Sequence, residues 1–511
     1  MIRTFALLTI CCGIAACGDA GRQADEEAAF YDVVISGGRV IDPESGLDGV
    51  RDVGLRDGKI AAVSENGLQG ETTIDATGLV VSPGFINVHS HSWTPLGQEF
   101  ELRDGVTTAL ELESGAFPIA DFGIYEPIAI AGKSIVNYGA SVGHAWIRSS
   151  ILDGDAAVTG FDELLQRAVS EGVSLTMDMP SFRAPLSAEQ RDLLRERLRT
   201  GLDQGGLGIG MLLDYMSEVV DQAELQVVFD VAAERQAPVI VHVRRGIAGD
   251  PAGLIEVIDL ARASGAPLHI CHLQASAMGG IEEWLRLIRA ARADGVRITT
   301  ESFPYNAGST SISAAVFSRD WQKIFAITYE DVEWAATGER FTEEMWNDYR
   351  QNRPGGSVIH HYNKEEWTSV ATNAPDVIVA ADGGPVVSLE QKVAPFGIGT
   401  NARMLGRYVR EQGSLSLMDA ITKMTLLPAK MLGAYSPAMA NKGRIKAGAD
   451  ADITIFEPDT VIDNATFPDP YQASSGIEHV IVNGEIVLRD GELVEGVRPG
   501  RRVLRDRSER D

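Results

Sequence analysis

The sequence predicts an α/β protein: a (β/α)8, TIM-like barrel carrying a small composite β-sandwich assembled from both termini. Three observations lead there. The middle of the 511-residue chain alternates strand-like apolar runs with helix-like stripes, the pattern of parallel βα units. About eight strand candidates fall between Pro83 and Asp382, which favours a closed barrel over an open sheet. Short β runs with tight turns occur near both chain ends.

Residues 1–17 read as a processing signal. Arg3 precedes the apolar run Phe5 to Ile14, which is too short to span a bilayer. The run ends in Ile14-Ala15-Ala16-Cys17, which resembles the lipobox of bacterial lipoproteins, in which the cysteine is lipidated and becomes the new N-terminus. Gly18 follows rather than Asp, and by that family's sorting habit this implies an outer-membrane anchor facing the periplasm. An ordinary cleaved signal is the alternative. Residues 18–30 are polar and acidic, a tether. Of the four cysteines, Cys11, Cys12, Cys17 and Cys271, only Cys271 remains as a thiol if Cys17 is acylated, so no internal disulfide is expected.

Residues 31–82 hold the runs Asp32-Val33-Val34-Ile35-Ser36, Arg39-Val40-Ile41, Asp52-Val53-Gly54-Leu55 and Ile60-Ala61-Ala62-Val63. Within 431–505, Ala451 to Phe456 and His479 to Val482 read as strands, and the two segments together predict the sandwich. The barrel then occupies 83–430. One of its units is explicit: Asp221 and Glu224 form a capping box, and Leu225, Val228, Phe229 and Ala232 make an apolar stripe. Pro238 ends that helix, and Val239-Ile240-Val241 starts a strand. Residues from about 320 to 370 fit neither period and are rich in charges and aromatics, an insertion over the barrel mouth.

Composition is ordinary for a globular chain, 44% hydrophobic and 23% charged. A net charge of −27 excludes nucleic acid and anionic membrane surfaces as partners, leaving membrane contact to the lipid anchor alone. Charge and length leave the oligomeric state open.

The chemistry gathers at predicted strand ends, where such barrels keep their active residues. Phe85-Ile86-Asn87-Val88 runs into His89 and His91, whose i, i+2 spacing puts both imidazoles on one strand face, as neighbouring ligands of a cation such as zinc. His242, His272 and Asp382 each end a later apolar run and precede a polar or glycine-containing loop. Any one of them is more often structural; four imidazoles and a carboxylate at equivalent positions point to a metal centre.

These stretches resemble the amidohydrolase superfamily and, within it, the D-aminoacylase (N-acyl-D-amino-acid deacylase) branch. The matching motifs are Pro83 to His91, Gly105-Val106-Thr107-Thr108, Gly143 to Arg148, His242-Val243-Arg244, His272, Phe303 to Thr310, Ala381-Asp382-Gly383, Leu405 to Glu411 and Gly443 to Asp452. The resemblance implies a barrel holding one or two Zn2+ ions, with His89 and His91 on one metal and His242 and His272 on the other. Asp382 would be ligand and catalytic base. It also requires a ligand bridging the metals, a cysteine in D-aminoacylases. Here that strand reads Glu111-Leu112-Glu113-Ser114, with Ser114 at the cysteine's place. Glu113 is the favoured bridge, Glu111 and Ser114 the alternatives, and the Glu-Leu-Glu run resembles a subgroup labelled D-glutamate deacylases.

The branch's carboxylate clamp is altered: Gln274 stands where a lysine is usual, and no arginine precedes Gly399-Thr400. Arg244, Tyr305, Ser309 and Arg403 are the replacement candidates. Arg244, two residues after His242, would share its face and offer a fork to a carboxylate, or else pair with an acidic loop. The implied reaction is deacylation of a small-molecule N-acyl-D-amino acid, D-glutamate-like, with no organic cofactor. Alternatives are hydrolysis of another amide, cyclic amide or lactone, and a non-catalytic binding lipoprotein.

Overall fold

A computed structural model describes residues 30–506 apart from positions 93, 125–133, 161–162, 168–176 and 391. The signal, the lipobox and the tether up to residue 29 lie outside the described residues.

Eight parallel strands form one sheet in chain order. They are β1 (Phe85–Asn87), β2 (Val106–Ala116), β3 (Asn137–Gly143), β4 (Ile209–Met211), β5 (Val239–Val241), β6 (Leu268–Ile270), β7 (Ile298–Ser302) and β8 (Ile378–Val379). The ends of the sheet meet at its rim. Asp382 N donates to His89 O (2.9 Å), and His91 N donates to Gly383 O (3.2 Å). Ile86, Leu110, Ile240 and Ile378 pack together with no polar partner among them. Outward residues such as Val142, Ile209, Val241 and Ile270 meet the surrounding helices. The helix Gln222–Arg235 shows how sequence sets such a layer. Asp221 caps it by accepting from Glu224 N, and Leu225, Val228, Phe229 and Ala232 are its buried stripe.

The chain's two ends share a nine-stranded sheet. Its longest strand, Phe30–Asp42, breaks register at Ser36-Gly37, so the first half pairs with Gln69–Asp75 and the second with Val80–Pro83. Gly37 has φ +69°, which a side chain would resist. The edge strand Lys59–Ser64 then bonds to the stretch leading into Ile453–Phe456, through Ile60 N to Ala449 O and Gly448 N to Ile60 O. The sheet thereby folds over its own apolar core of Val33, Ile35, Val53, Ile60, Ile453 and Ile481.

The insertion begins earlier than residue 320. Directly after β7, Gly308–Ser311 opens a four-stranded antiparallel sheet with Val332–Trp334, Glu339–Arg340 and Ser357–His360. Phe317, Trp321, Phe325, Phe341 and Trp346 build its core, which is why the stretch shows aromatic density without a single period. His144 and Arg148 lie on the helix His144–Leu152, which follows β3 directly.

Candidate active site

Strand β1 ends at Asn87, whose Oδ1 accepts from both His89 N and Ala381 N (3.1 Å each) while its Nδ2 donates to Glu101 (2.8 Å). This amide clips the first strand to the last and so sets His89 and Asp382 beside each other. His89 Nε2 lies 3.3 Å from Asp382 Oδ1 and 3.3 Å from Glu113 Oε2. His91 Nε2 stands 3.7 and 3.6 Å from the same two oxygens. The other oxygen of Glu113 faces the later strands: Oε1 is 2.9 Å from His242 Nδ1 and 2.7 Å from His272 Nε2. One carboxylate thus divides between two histidine pairs. The ligand atoms of His89, His91 and Asp382 lie within 4.8 Å of one another, as do those of Glu113, His242 and His272.

Hydrogen bonds behind the ligands set their tautomers. His89 Nδ1 bonds Glu301, and His91 Nδ1 bonds Glu111 Oε2 at 2.8 Å. Each bond leaves Nε2 as a lone-pair donor aimed at the cluster. His269, on β6, bonds Thr299 (2.8 Å) and the second oxygen of Glu301 (3.1 Å), steadying the carboxylate that holds His89. Glu111 is satisfied by His91 and Ser114 N (3.2 Å), so it orients that imidazole, while Glu113 stands between the two histidine pairs.

The donor set fits a cation. His89 Nε2 is buried without a hydrogen-bond partner, yet it faces two carboxylate oxygens that also offer only lone pairs. Acceptors converge here, and a divalent ion satisfies all of them. The same carboxylates favour positive charge at the site, whether it is carried by a proton or by a divalent ion. Burial opposes charge on His89, but Glu113, Asp382 and Glu301 hold its imidazole well above the ordinary value. His91 is likewise raised to about 10, against burial, by Glu111. His242 goes the other way, down to about 3, through burial and the nearby Arg245 and His272. Burial and the Glu113 carboxylate raise Asp382 against the pull of His89 and His272. His272 and Asp382 both carry positive φ, +32° and +55°, a strained backbone at two cluster positions.

His91, Glu113, His242, His272 and Asp382 line a cavity of about 260 Å3 beneath the insertion. One side is apolar, with Trp146, Val158, Leu165, Phe182 and Leu212. Ser309 also lines it. Three expected substrate residues do not. Arg244 turns outward to Glu256 (2.9 Å) and Val220 O (2.6 Å), because β5 ends at Val241 and strand alternation no longer governs position 244. Arg403 donates to Pro304 O (2.7 Å), pairs with Asp463 (2.9 Å) and lies over the Tyr305 ring. Tyr305 is buried under that guanidinium against Phe396. Gln274 donates to Phe303 O (2.8 Å). His144 and Arg148 share Glu224 in a buried cluster (2.8 and 2.6 Å), a structural role.

Sequence reasoning missed Asn87, Glu301 and Arg245. A carboxylate inside the β run Ile298 to Ser302 was the available signal for Glu301, because an acid in a buried strand needs a partner. Asn87 and Arg245 carry no comparable pattern.

A barrel rim on which four histidines and two carboxylates converge defines a metal-dependent amidohydrolase, and comparison with known proteins agrees. The profile of the amidohydrolase family matches residues 380–488. N-acyl-D-glutamate deacylase from Alcaligenes xylosoxydans xylosoxydans is 31% identical over 93% of this chain and 97% of its own. D-aminoacylase from the same organism is 26% identical over 94% and 99%. The crystal structure of N-acyl-D-glutamate deacylase from Bordetella bronchiseptica, complexed with zinc and a phosphonate mimic of the tetrahedral intermediate, superposes with a TM-score of 0.76 at 27% identity. That match covers 93% of this chain and all of the other. The chain belongs to the amidohydrolase superfamily. Within it, the chain sits in the D-aminoacylase branch, beside the N-acyl-D-amino-acid deacylases.

Proposed function

We propose that the protein is a zinc-dependent deacylase of N-acyl-D-amino acids, D-glutamate-like, releasing a carboxylic acid and a D-amino acid. The observation that carries this is Glu113 standing between two histidine pairs with Asp382 at the same rim. The relative acting on N-acyl-D-glutamate supports the substrate class. His89, His91 and Asp382 would hold one ion, His242 and His272 a second, and Glu113 would span them. Zinc, when bound, supplies Lewis acidity that polarises a carbonyl and acidifies water near neutral pH. The Asp382 carboxylate would take the proton of the attacking water and deliver it to the departing nitrogen. Glu301 and Glu111 keep His89 and His91 in the ligating tautomer throughout.

The test is turnover of N-acetyl-D-glutamate against its L form by zinc-loaded protein, with and without chelator. D-selective, chelator-sensitive release of acetate is expected. Chelator-insensitive turnover would overturn the mechanism. A zinc-loaded protein inactive on every N-acyl-D-amino acid would overturn the deacylase reading and leave the wider amidohydrolase class.

We also propose a location. Ile14-Ala15-Ala16-Cys17 with Gly18 supports lipidation at Cys17 and anchoring in the outer membrane, facing the periplasm. Cell fractionation tests this, and recovery of the protein only in cytosol would remove it.

A further inference from the structure

The two arginines expected to bind substrate point elsewhere, but a third faces the cavity. Arg245 lines it together with the metal-ligand cluster, although its side chain is only 7% exposed. Its backbone N donates to Asp214 Oδ1 (2.9 Å), and its Nη1 lies 3.2 Å from Asp214 Oδ2. Arg319 Nη2 takes the same carboxylate at 2.7 Å. One aspartate therefore answers two guanidiniums. Asp214 also stands 3.8 Å from His242 Nε2, which ties Arg245 to the metal-ligand cluster. Arg245 Nε is buried and meets no hydrogen-bond acceptor among the described residues. A buried cation with surplus donors is costly unless an anion completes it.

The surroundings suit an anion. Tyr215 and Tyr362 line the same cavity, and the Tyr362 hydroxyl donates to Ala275 O at 3.1 Å. Among the described lining residues the other primary cation is Lys392, which donates to Pro468 O at 2.7 Å. We propose that Arg245 binds the free carboxylate of the substrate, doing from position 245 what Arg244 and Arg403 were expected to do. Its planar fork presents paired N–H groups matched to a carboxylate. The substrate is then an N-acylated amino acid with its acid unblocked, and simple amides and carboxamides are rejected.

The test compares zinc-loaded wild type with Arg245→Met on N-acetyl-D-leucine and on its carboxamide. Turnover is followed, an arm that rests on the deacylase reading, together with calorimetric binding, an arm that does not. The wild type is expected to prefer the acid. Arg245→Met should weaken the acid by roughly 10- to 100-fold in KM and Kd, the scale of a charge-assisted hydrogen bond, with the carboxamide and the zinc content nearly unchanged. Should that variant fail to fold, Arg245→Lys keeps the charge without the fork and is expected to weaken the acid selectively by a smaller factor. Equal losses on acid and carboxamide would mean that Arg245 acts only through Asp214 and His242, and would overturn the proposal, as would a wild type that binds both alike. A wild type that binds the acid selectively through Arg245 but cleaves nothing would uphold the proposal while removing the deacylase reading.

Discussion

Glu113 shows how much chemistry one side chain can carry when its two oxygens face different partners. Burial alone would raise its pKa, but His89 and His242 hold it well below the ordinary range, so it stays anionic. Glu113→Gln keeps the shape and loses the charge, and it should lower bound zinc, read by elemental analysis, together with turnover. Asp382→Asn should cut turnover at least ~10²-fold, the lower scale of acid–base catalysis; near-normal rates would refute its role as base. Glu301→Gln acts one step further out. It weakens the grip on His89 Nδ1 and should cost about 10- to 100-fold in zinc affinity, measured by competition with a chelator. The histidines also set a pH dependence. His89 and His91 bind protons well above their usual range when metal is absent, so zinc must displace protons to bind. Adding zinc to the stripped protein at pH 7 should acidify an unbuffered solution, and affinity should fall by about tenfold for each unit that the pH is lowered, per proton displaced. Metal uptake without proton release would contradict this.

Elements aim these side chains, and much of the aiming comes from strand ends rather than strand middles. The expectation that His89 and His91 share a face followed from the two-residue repeat of a strand. The same rule failed three residues beyond β5, where Arg244 had already left the sheet and Arg245 took the cavity side. Strand β4 contributes by being thin. A Cβ on Gly210 would stand 2.5 Å from the carbonyl oxygens of Leu112 and Glu113. Gly210→Ala must therefore push β2 aside at the residue that bridges the two histidine pairs. Reduced zinc content with little change in far-ultraviolet circular dichroism is the expected result; full zinc occupancy would show that β2 yields without moving Glu113.

The barrel and the sheet built from the two chain ends meet at a buried ionic junction. Lys442 Nζ pairs with Asp452 (2.5 Å) and Asp450 (3.1 Å). Asp452 also accepts from Asn483 N (2.8 Å) and, at 3.4 Å, from Asn137 at the foot of β3. Removing one partner of a buried pair strands the other charge, so Lys442→Met should destabilise by ~3–5 kcal/mol. Thermal unfolding would read this as a lowered midpoint; an unchanged midpoint would assign the junction no such weight. Against burial, the two aspartates raise the pKa of Lys442. Its contribution is therefore fully present below the ordinary lysine pKa and is lost only as pH climbs past the raised, folded-state value.

What the sequence determined by itself was whatever repeats or recurs locally. The βα alternation, the β-rich ends and the polar residues closing apolar runs come from hydrophobic burial acting on short segments, and they named the barrel and five candidate ligand positions, four histidines and Asp382. Which of Glu111, Glu113 and Ser114 bridges, and which arginine faces the cavity, depended on where β2 and β5 stop being regular. Asn87, Glu301 and Asp214 owe their places to partners 105 to 294 residues away. Only the closed tertiary structure could decide these, because a buried polar group is placed by whichever distant partner satisfies it, and no local periodicity records that choice.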